Sequence, residues 1–171
     1  MDGLKSDKRR IQSGCAEIAS LLSEEEPELL YSHIDFFLKS LNADAPVLRW
    51  EAACTLGNLA RVDNEGNVLN GLDILFSFLH ESSIVLQGHS VRALSKIAKN
   101  FPEKKKLIFE QLVNAQGNFP GSRIGYVIEA MEVFTGECKE RAIKFIKPYT
   151  ENESKSVVRK AKRALKKLTA Y

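Results

Sequence analysis

The cysteine and histidine side chains are the groups in this sequence that could bind a metal ion or act as a nucleophile and base. The three cysteines are Cys15, Cys54 and Cys138, and the three histidines are His33, His80 and His89. The cysteines are odd in number, far apart and without a Cys-x-x-Cys pair, so neither a disulfide framework nor a zinc site is predicted. The histidines also lack metal-binding spacing. We expect inert thiols in helical positions that a small apolar residue could fill.

Other catalytic patterns are missing from the sequence as well. It contains no Gly-rich phosphate loop after a strand and no Gly-x-Ser-x-Gly motif. Its apolar content of 44% and charged content of 27% are typical of a soluble globular protein. The first ten residues have no apolar run of the kind a signal peptide needs, and no later stretch approaches about 20 apolar residues. We expect a cytoplasmic protein that is not an enzyme, needs no cofactor or metal and does not enter a membrane.

One helical segment recurs five times along the chain. Its copies lie at residues 15–21, 53–59, 91–97, 128–134 and 162–168. The offsets between Ile18, Leu56, Leu94, Met131 and Leu165 are 38, 38, 37 and 34 residues, a spread that two-helix solenoid repeats accommodate by changing loop length. A second apolar-periodic segment lies between successive copies. Each repeat is therefore predicted to be a helical hairpin.

These patterns predict nine helices in a single domain of residues 1–171. The predicted helices are residues 7–22, 27–41, 46–61, 67–80, 84–99, 102–115, 122–135, 137–148 and 154–169. The first is an N-terminal capping helix, and the others pair as hairpins at about 27–61, 67–99, 102–135 and 137–169. Ser23 with Glu26 and Thr150 with Glu153 have capping-box spacing. The acidic residues predicted to lie at the positive end of a helix dipole are Glu24, Glu25, Glu26 and Glu28.

Residues 44–60 resemble the core signature of HEAT repeats. Asp44, Pro46 and the Leu48–Arg49 pair are followed by Ala, Leu and small residues at helical spacing. The resemblance covers most of the chain from about residue 27 and implies an all-α fold of the armadillo-like helical superfamily. The implied architecture is an α-α superhelix, a right-handed solenoid of about four and a half HEAT-like hairpins. It further implies that Asp44 and Arg49 join a structural ladder between repeats, although Gln87 stands where the next Arg is expected.

The second helix of each hairpin should line the concave face, where most solenoids bind their partners. Aligning the copies gives rows of residues that should face outward there. The rows are Glu51, His89, Tyr126 and Lys160; Cys54, Arg92, Glu129 and Arg163; and Asn58, Lys96 and Lys167. The predicted partner-binding residues are Trp50, Glu51, Asn58, His89, Arg92, Lys96, Tyr126 and Glu129. Structural readings also remain open, since Trp50 could cover a helix face and His89 could be a solvated helix residue.

The last predicted helix carries seven cations and no acid. These cations are Lys155, Arg159, Lys160, Lys162, Arg163, Lys166 and Lys167. A polar terminal cap and cations near a helix C-terminus account for part of this run. Lys160, Arg163 and Lys167 are the candidate anion-binding residues.

Two functional hypotheses follow from the sequence. The leading one is a non-enzymatic scaffold that binds a partner protein or peptide on the concave face. The alternative is a nucleic-acid-binding protein that uses its basic C-terminal half and resembles the HEAT-like alkylpurine DNA glycosylases. Residues 1–85 hold 7 basic and 14 acidic residues, a net −7, whereas residues 86–171 hold 18 and 8, a net +10. This asymmetry also predicts weak head-to-tail self-association.

Overall fold

A computed structural model describes residues 1–170, and within that range the chain contains helices and turns but no strand. Its α-helices are α1 (Arg9–Glu25), α2 (Glu28–Tyr31), α3 (Ile34–Ser40), α4 (Pro46–Leu59), α5 (Leu72–Phe78), α6 (Ile84–Asn100), α7 (Lys105–Asn114), α8 (Ile124–Ala130), α9 (Lys139–Ile146) and α10 (Lys155–Thr169). Short 3-10 segments extend or join several of them, such as Asn67–Gly71 before α5 and Met131–Val133 after α8. Every predicted helical segment overlaps helix, and the second is divided into α2 and α3.

The chain forms two compact units, the first spanning Met1–Asn100 and the second beginning at Phe101. Helices α1 to α6 belong to the first unit and α7 to α10 to the second. The single domain of residues 1–171 stays a prediction, and its last residue, Tyr171, lies outside the described residues.

In the first unit, α4 packs between α1 and α6, while α3 packs on α4 and α5 packs on α6. Helix α4 is apolar over most of its surface, so it has to be covered on more than one side. Ala52, Ala53, Leu56 and Leu59 are at most 2% exposed. Two helices therefore have to flank α4, and the repeat supplies them as its neighbouring copies.

The repeated apolar position is buried in the inner copies and exposed at the first. Leu56, Leu94 and Met131 are 0% exposed, whereas Ile18 on α1 is 64% exposed. Leu165 on α10 is partly exposed. The equivalence predicted from the sequence thus holds where a helix has packed neighbours, and the residue on α1 faces solvent.

In the second unit, α10 packs on α8 and α9. Its buried residues Val157, Ala161, Ala164 and Leu168 follow the spacing of a single helix face. Near α7, the rings of Phe109 and Phe134 meet edge to face, with centroids 5.3 Å apart. This aromatic contact ties α7 to the segment that follows α8.

Both predicted capping boxes are wrong. Helix α1 continues to Glu25, so Ser23 lies inside it and donates to the Ser20 carbonyl at 2.6 Å. Thr150 donates to the Lys147 carbonyl at 2.8 Å within a 3-10 segment, and α10 begins only after Ser154. Because α1 ends late, Glu24 and Glu25 lie at the negative end of its dipole. The prediction that these two acids start a helix is therefore wrong, whereas Glu28 does lie in the first turn of α2.

The contact between α4 and α6 generates a stability prediction for Gly57. A Cβ built on Gly57 would lie 2.7 Å from the Ala93 Cα, a backbone atom that cannot move independently of α6. Gly57→Ala should therefore lower the free energy of unfolding by about 1–3 kcal/mol through overpacking. Chemical denaturation followed by circular dichroism measures this loss.

Gly14→Ala is the matched control, because a Cβ on this helical glycine would meet nothing within 4 Å. The control should raise the stability by up to about 1 kcal/mol, as alanine is the better helix former. Equal effects of the two substitutions would contradict the close approach of α4 and α6.

Candidate binding groove

A groove of about 520 Å³ lies on the first unit, between the exposed edges of α1, α4 and α6. It is lined by Glu17, Ser20, Leu21 and Glu24 of α1, Glu51, Cys54 and Asn58 of α4, and His89, Arg92, Ala93, Ser95 and Lys96 of α6. Three carboxylates come from α1 and α4, and two cations come from α6. The groove therefore combines apolar surface with charged side chains of both signs, and its basic residues lie on α6.

Five of the predicted partner-binding residues line this groove: Glu51, Asn58, His89, Arg92 and Lys96. Trp50 does not line it, but its indole Nε1 donates to the Glu51 carboxylate at 3.1 Å. The tryptophan thus helps to orient an acidic side chain of the groove. The row alignment missed the contribution of α1. Extending the third row to the first copy would have found Ser20, which stands 38 residues before Asn58.

Asn58 forms the floor of the groove and is only 7% exposed. Its amide Nδ2 donates to the Ser23 hydroxyl at 2.8 Å and to the Ser20 carbonyl at 3.3 Å, and Lys96 donates to its Oδ1. Lys96 also lies 3.8 Å from Glu24. Each polar group of Asn58 therefore has a partner, as a buried amide requires. Asn58 joins α1, α4 and α6 and holds Lys96 at the groove.

Cys54 and His89 face each other in the groove, with the Cys54 Sγ in hydrogen-bonding contact with His89 Nδ1. Burial, reinforced by the Glu51 charge, raises the pKa of Cys54 to about 11. Burial also lowers the pKa of His89, against the opposing effect of Glu51. Both groups are therefore neutral near pH 7. A thiol in this state is a poor nucleophile and a poor metal ligand.

In the second unit, the predicted candidate residues pair with one another. Lys160 donates to Glu129 at 2.9 Å and lies over the Tyr126 ring, 5.4 Å from its centroid. Arg163 donates to Glu129 at 2.6 Å and to Glu132 at 3.1 Å. Burial alone would raise the pKa of Glu129, but the bonds from Lys160 and Arg163 outweigh it and lower that pKa. These residues join α10 to α8.

The candidate anion-binding residues therefore have carboxylate partners. Lys167 completes the set by donating to Glu132 at 2.5 Å. An incoming phosphate or carboxylate would have to displace Glu129 or Glu132 from Lys160, Arg163 and Lys167. Other cations of α10 are exposed: Lys155, Arg159, Lys162 and Lys166. Anion binding at this end of the chain stays a prediction.

The predicted polar ladder has a different acid from the one expected. Arg49 donates to the Leu41 carbonyl and to the Glu81 carboxylate, and it lies over the Phe78 ring, whereas Asp44 is exposed. Gln87, 38 residues later, donates in the same way to the carbonyls of Leu79 and Glu81.

The second unit contains a similar trio of Arg141, Glu110 and Phe109. In the first unit, Arg49 and Gln87 each donate to a carbonyl at the end of the preceding helix. This contact therefore recurs in both repeats, although glutamine replaces arginine in the second.

A second groove, of about 570 Å³, lies on the second unit and is more apolar. It is lined by Phe109, Val113, Gln116, Arg141, Lys144, Phe145, Pro148 and Tyr149. None of these belongs to the predicted rows.

Known proteins resemble this chain in structure but not in sequence. No protein-family profile and no curated protein matches the sequence. A designed armadillo repeat protein in complex with the peptide (KR)4 superposes with a TM-score of 0.71 at 15% identity, over 96% of this chain and 78% of its own. The fold is an armadillo/HEAT-like helical repeat.

Two further solved structures agree with this fold. A computationally designed armadillo repeat protein for modular peptide recognition gives a TM-score of 0.69 at 16% identity, covering 97% of this chain and 79% of that one. The armadillo repeats only protein of Plasmodium falciparum gives 0.58 at 18% identity, covering 92% and 80%. The expected all-α helical superhelix and the HEAT-like resemblance are confirmed at the level of the fold.

Within residues 1–170, no group of three or more His, Cys, Asp or Glu residues is placed to hold a metal ion. Over the same residues, no helix combines the length and apolar character that crossing a bilayer requires.

The neutral state of Cys54 can be tested by alkylation. Because its pKa is raised to about 11, Cys54 should react slowly with iodoacetamide at pH 8, and its rate should keep rising up to about pH 11. Mass spectrometry of the digested protein gives the rate at each cysteine, and a free cysteine peptide serves as the control. A rate for Cys54 that levels off near pH 8.5, like that of the peptide, would contradict this assignment.

Proposed function

We propose that the protein is a non-enzymatic scaffold that binds a peptide segment of a partner protein in the groove between α1, α4 and α6. The observation that carries this proposal is the convergence of five row residues predicted from the sequence on one groove of the first unit. The fold supports it, since armadillo repeat proteins of the same architecture were designed for peptide recognition.

The charges of the groove favour a peptide with basic side chains. Glu17, Glu24 and Glu51 line it, and Lys96 already lies near Glu24. Carboxylates on two helices can therefore receive lysine or arginine side chains of a bound peptide. The designed armadillo protein in complex with (KR)4 offers a precedent for basic peptides on this fold. Arg92, on α6, can donate hydrogen bonds to carbonyl or carboxylate groups of the peptide.

The chemistry of the groove supports binding rather than catalysis. Cys54 and His89 are residue types that can act together as a nucleophile and its base. Here, however, the pKa of Cys54 is about 11, and its thiol stays protonated near pH 7. A thiolate would require a nearby positive charge strong enough to offset burial, and here burial dominates. The partner protein or peptide and the cytoplasmic location remain predictions from the sequence.

Titration of labelled (KR)4 peptide tests the proposal. Wild-type protein should bind it more tightly than an acidic peptide of the same length, and Glu51→Lys should weaken binding about tenfold by replacing attraction with repulsion. Fluorescence anisotropy at low and moderate salt provides the affinities.

Asp73→Lys is the matched control, because Asp73 is an exposed acid on α5 that does not line the groove. Equal losses in the two variants would indicate general electrostatic attraction and contradict a site in the groove. Failure of the wild-type protein to bind (KR)4 at low salt would contradict the basic-peptide proposal. Duplex DNA in the same titration tests the nucleic-acid alternative, whose binding should fall steeply with salt.

A further inference from the structure

One face of α1 carries an apolar stripe that the rest of the first unit leaves about half exposed or more. Ile11, Ile18 and Leu21 are 46%, 64% and 61% exposed. The opposite face of the same helix holds Ala16 and Ala19, which are buried against the unit. Exposed apolar side chains gathered on one helix face mark an interaction surface.

The spacing of the stripe is symmetric. With Gly14 it occupies positions 11, 14, 18 and 21, so successive members are 3, 4 and 3 residues apart. A second α1 laid antiparallel would place Ile11 opposite Leu21 of the second copy, and Gly14 opposite its Ile18. A surface that is complementary to itself is what a twofold dimer requires.

Gly14 has no packing role within the described chain. A Cβ at this position would meet nothing within 4 Å, although glycine inside a helix is less stable than alanine. At the crossing of two helices the missing side chain has a use, because the distance between helix axes depends on the side chains at the contact. The glycine lies two residues from the midpoint of the stripe, next to the point where such a crossing is closest.

The charges of α1 follow an order that suits an antiparallel pair. Arg9 and Arg10 begin the helix, and Glu24 and Glu25 end it. This order opposes the helix dipole, which favours acids at the start and bases at the end. In an antiparallel pair, the basic end of each copy lies beside the acidic end of the other. Arg10 and Glu24 share one flank of the stripe, one beyond each of its ends.

We propose that two copies of the protein associate through α1 as an antiparallel, twofold dimer. The dimer buries the stripe of Ile11, Gly14, Ile18 and Leu21 and pairs Arg10 of each copy with Glu24 of the other. Glu17 lies midway along the same flank and faces its own symmetry mate, so this like-charge contact opposes association. A single helix pair is also a small interface, and the dimer is weak and concentration-dependent. It differs from the head-to-tail association predicted from the overall charge. Glu17, Leu21 and Glu24 also line the groove, so the dimer and a bound peptide compete for this part of α1.

Sedimentation equilibrium over roughly a hundredfold range of protein concentration tests the dimer. Ile18→Lys should raise the dissociation constant at least about a hundredfold, since each dimer loses two buried isoleucines and gains two charges. Ile84→Lys is the matched control, because Ile84 is 48% exposed but lies on α6, outside the stripe, and it should leave the constant unchanged. A wild-type protein that is monomeric throughout, or equal effects of both variants, would overturn the proposal.

A charge exchange tests the antiparallel geometry. Arg10→Glu and Glu24→Arg should each weaken self-association about tenfold, because each variant sets like charges against one another at both ends. An equimolar mixture of the two should regain the wild-type constant as a heterodimer, in which opposite charges meet again. A mixture as weak as its components would rule out this pairing and indicate another arrangement.

Two further substitutions separate the dimer from effects on folding. Glu17→Gln should tighten association, because it removes the like-charge contact at the axis. Gly14→Ala should weaken association while making the chain more resistant to denaturant. If Gly14→Ala leaves the dissociation constant unchanged, the close crossing at Gly14 is wrong and the proposal fails.

Discussion

The burial of α4 between α1 and α6 is the constraint on which the first unit depends. Because α4 buries apolar residues such as Ala53 and Leu56 on most of its surface, both neighbours must be helices that approach closely, and Gly57 against Ala93 sets the distance between α4 and α6. The three helices then lie side by side with their polar edges on one surface. The groove is the space between these edges, so the packing that stabilises the unit also creates its candidate site.

The repeat period made the fold predictable, because a position that is buried in one hairpin is buried in the next. Leu56 and Leu94 follow this rule, whereas Ile18 on α1 departs from it. Helix ends were harder to predict, because capping-box spacing occurs by chance. Ser23 has that spacing, yet its hydroxyl accepts a hydrogen bond from Asn58, and this tertiary contact lies inside a longer helix. Local propensity could not reveal a partner 35 residues away.

Aligning the repeats predicted which face a side chain occupies but not what lies opposite to it. Asn58 was placed on a binding row, but its position between three helices makes it a buried structural amide. Lys160 and Arg163 were treated as free cations, although Glu129 lies near both. One signal was available in the sequence, since Glu129 and Arg163 occupy the same row in adjacent copies. Opposite charges at equivalent positions of neighbouring repeats can form an ion pair between helices, as Arg163 and Glu129 do.

Acidic and basic side chains therefore have different surroundings in the two units. In the second unit, acids and bases of adjacent helices pair with one another, as Glu129 does with Lys160 and Arg163. In the first unit, the acids Glu17 and Glu51 face a groove, and Lys96 lies 3.8 Å from Glu24. A carboxylate that already holds a short ion pair gains less from a new cation than one that faces an open groove. This difference supports our proposal that the first unit binds a peptide, whereas the ion pairs of the second unit join its helices.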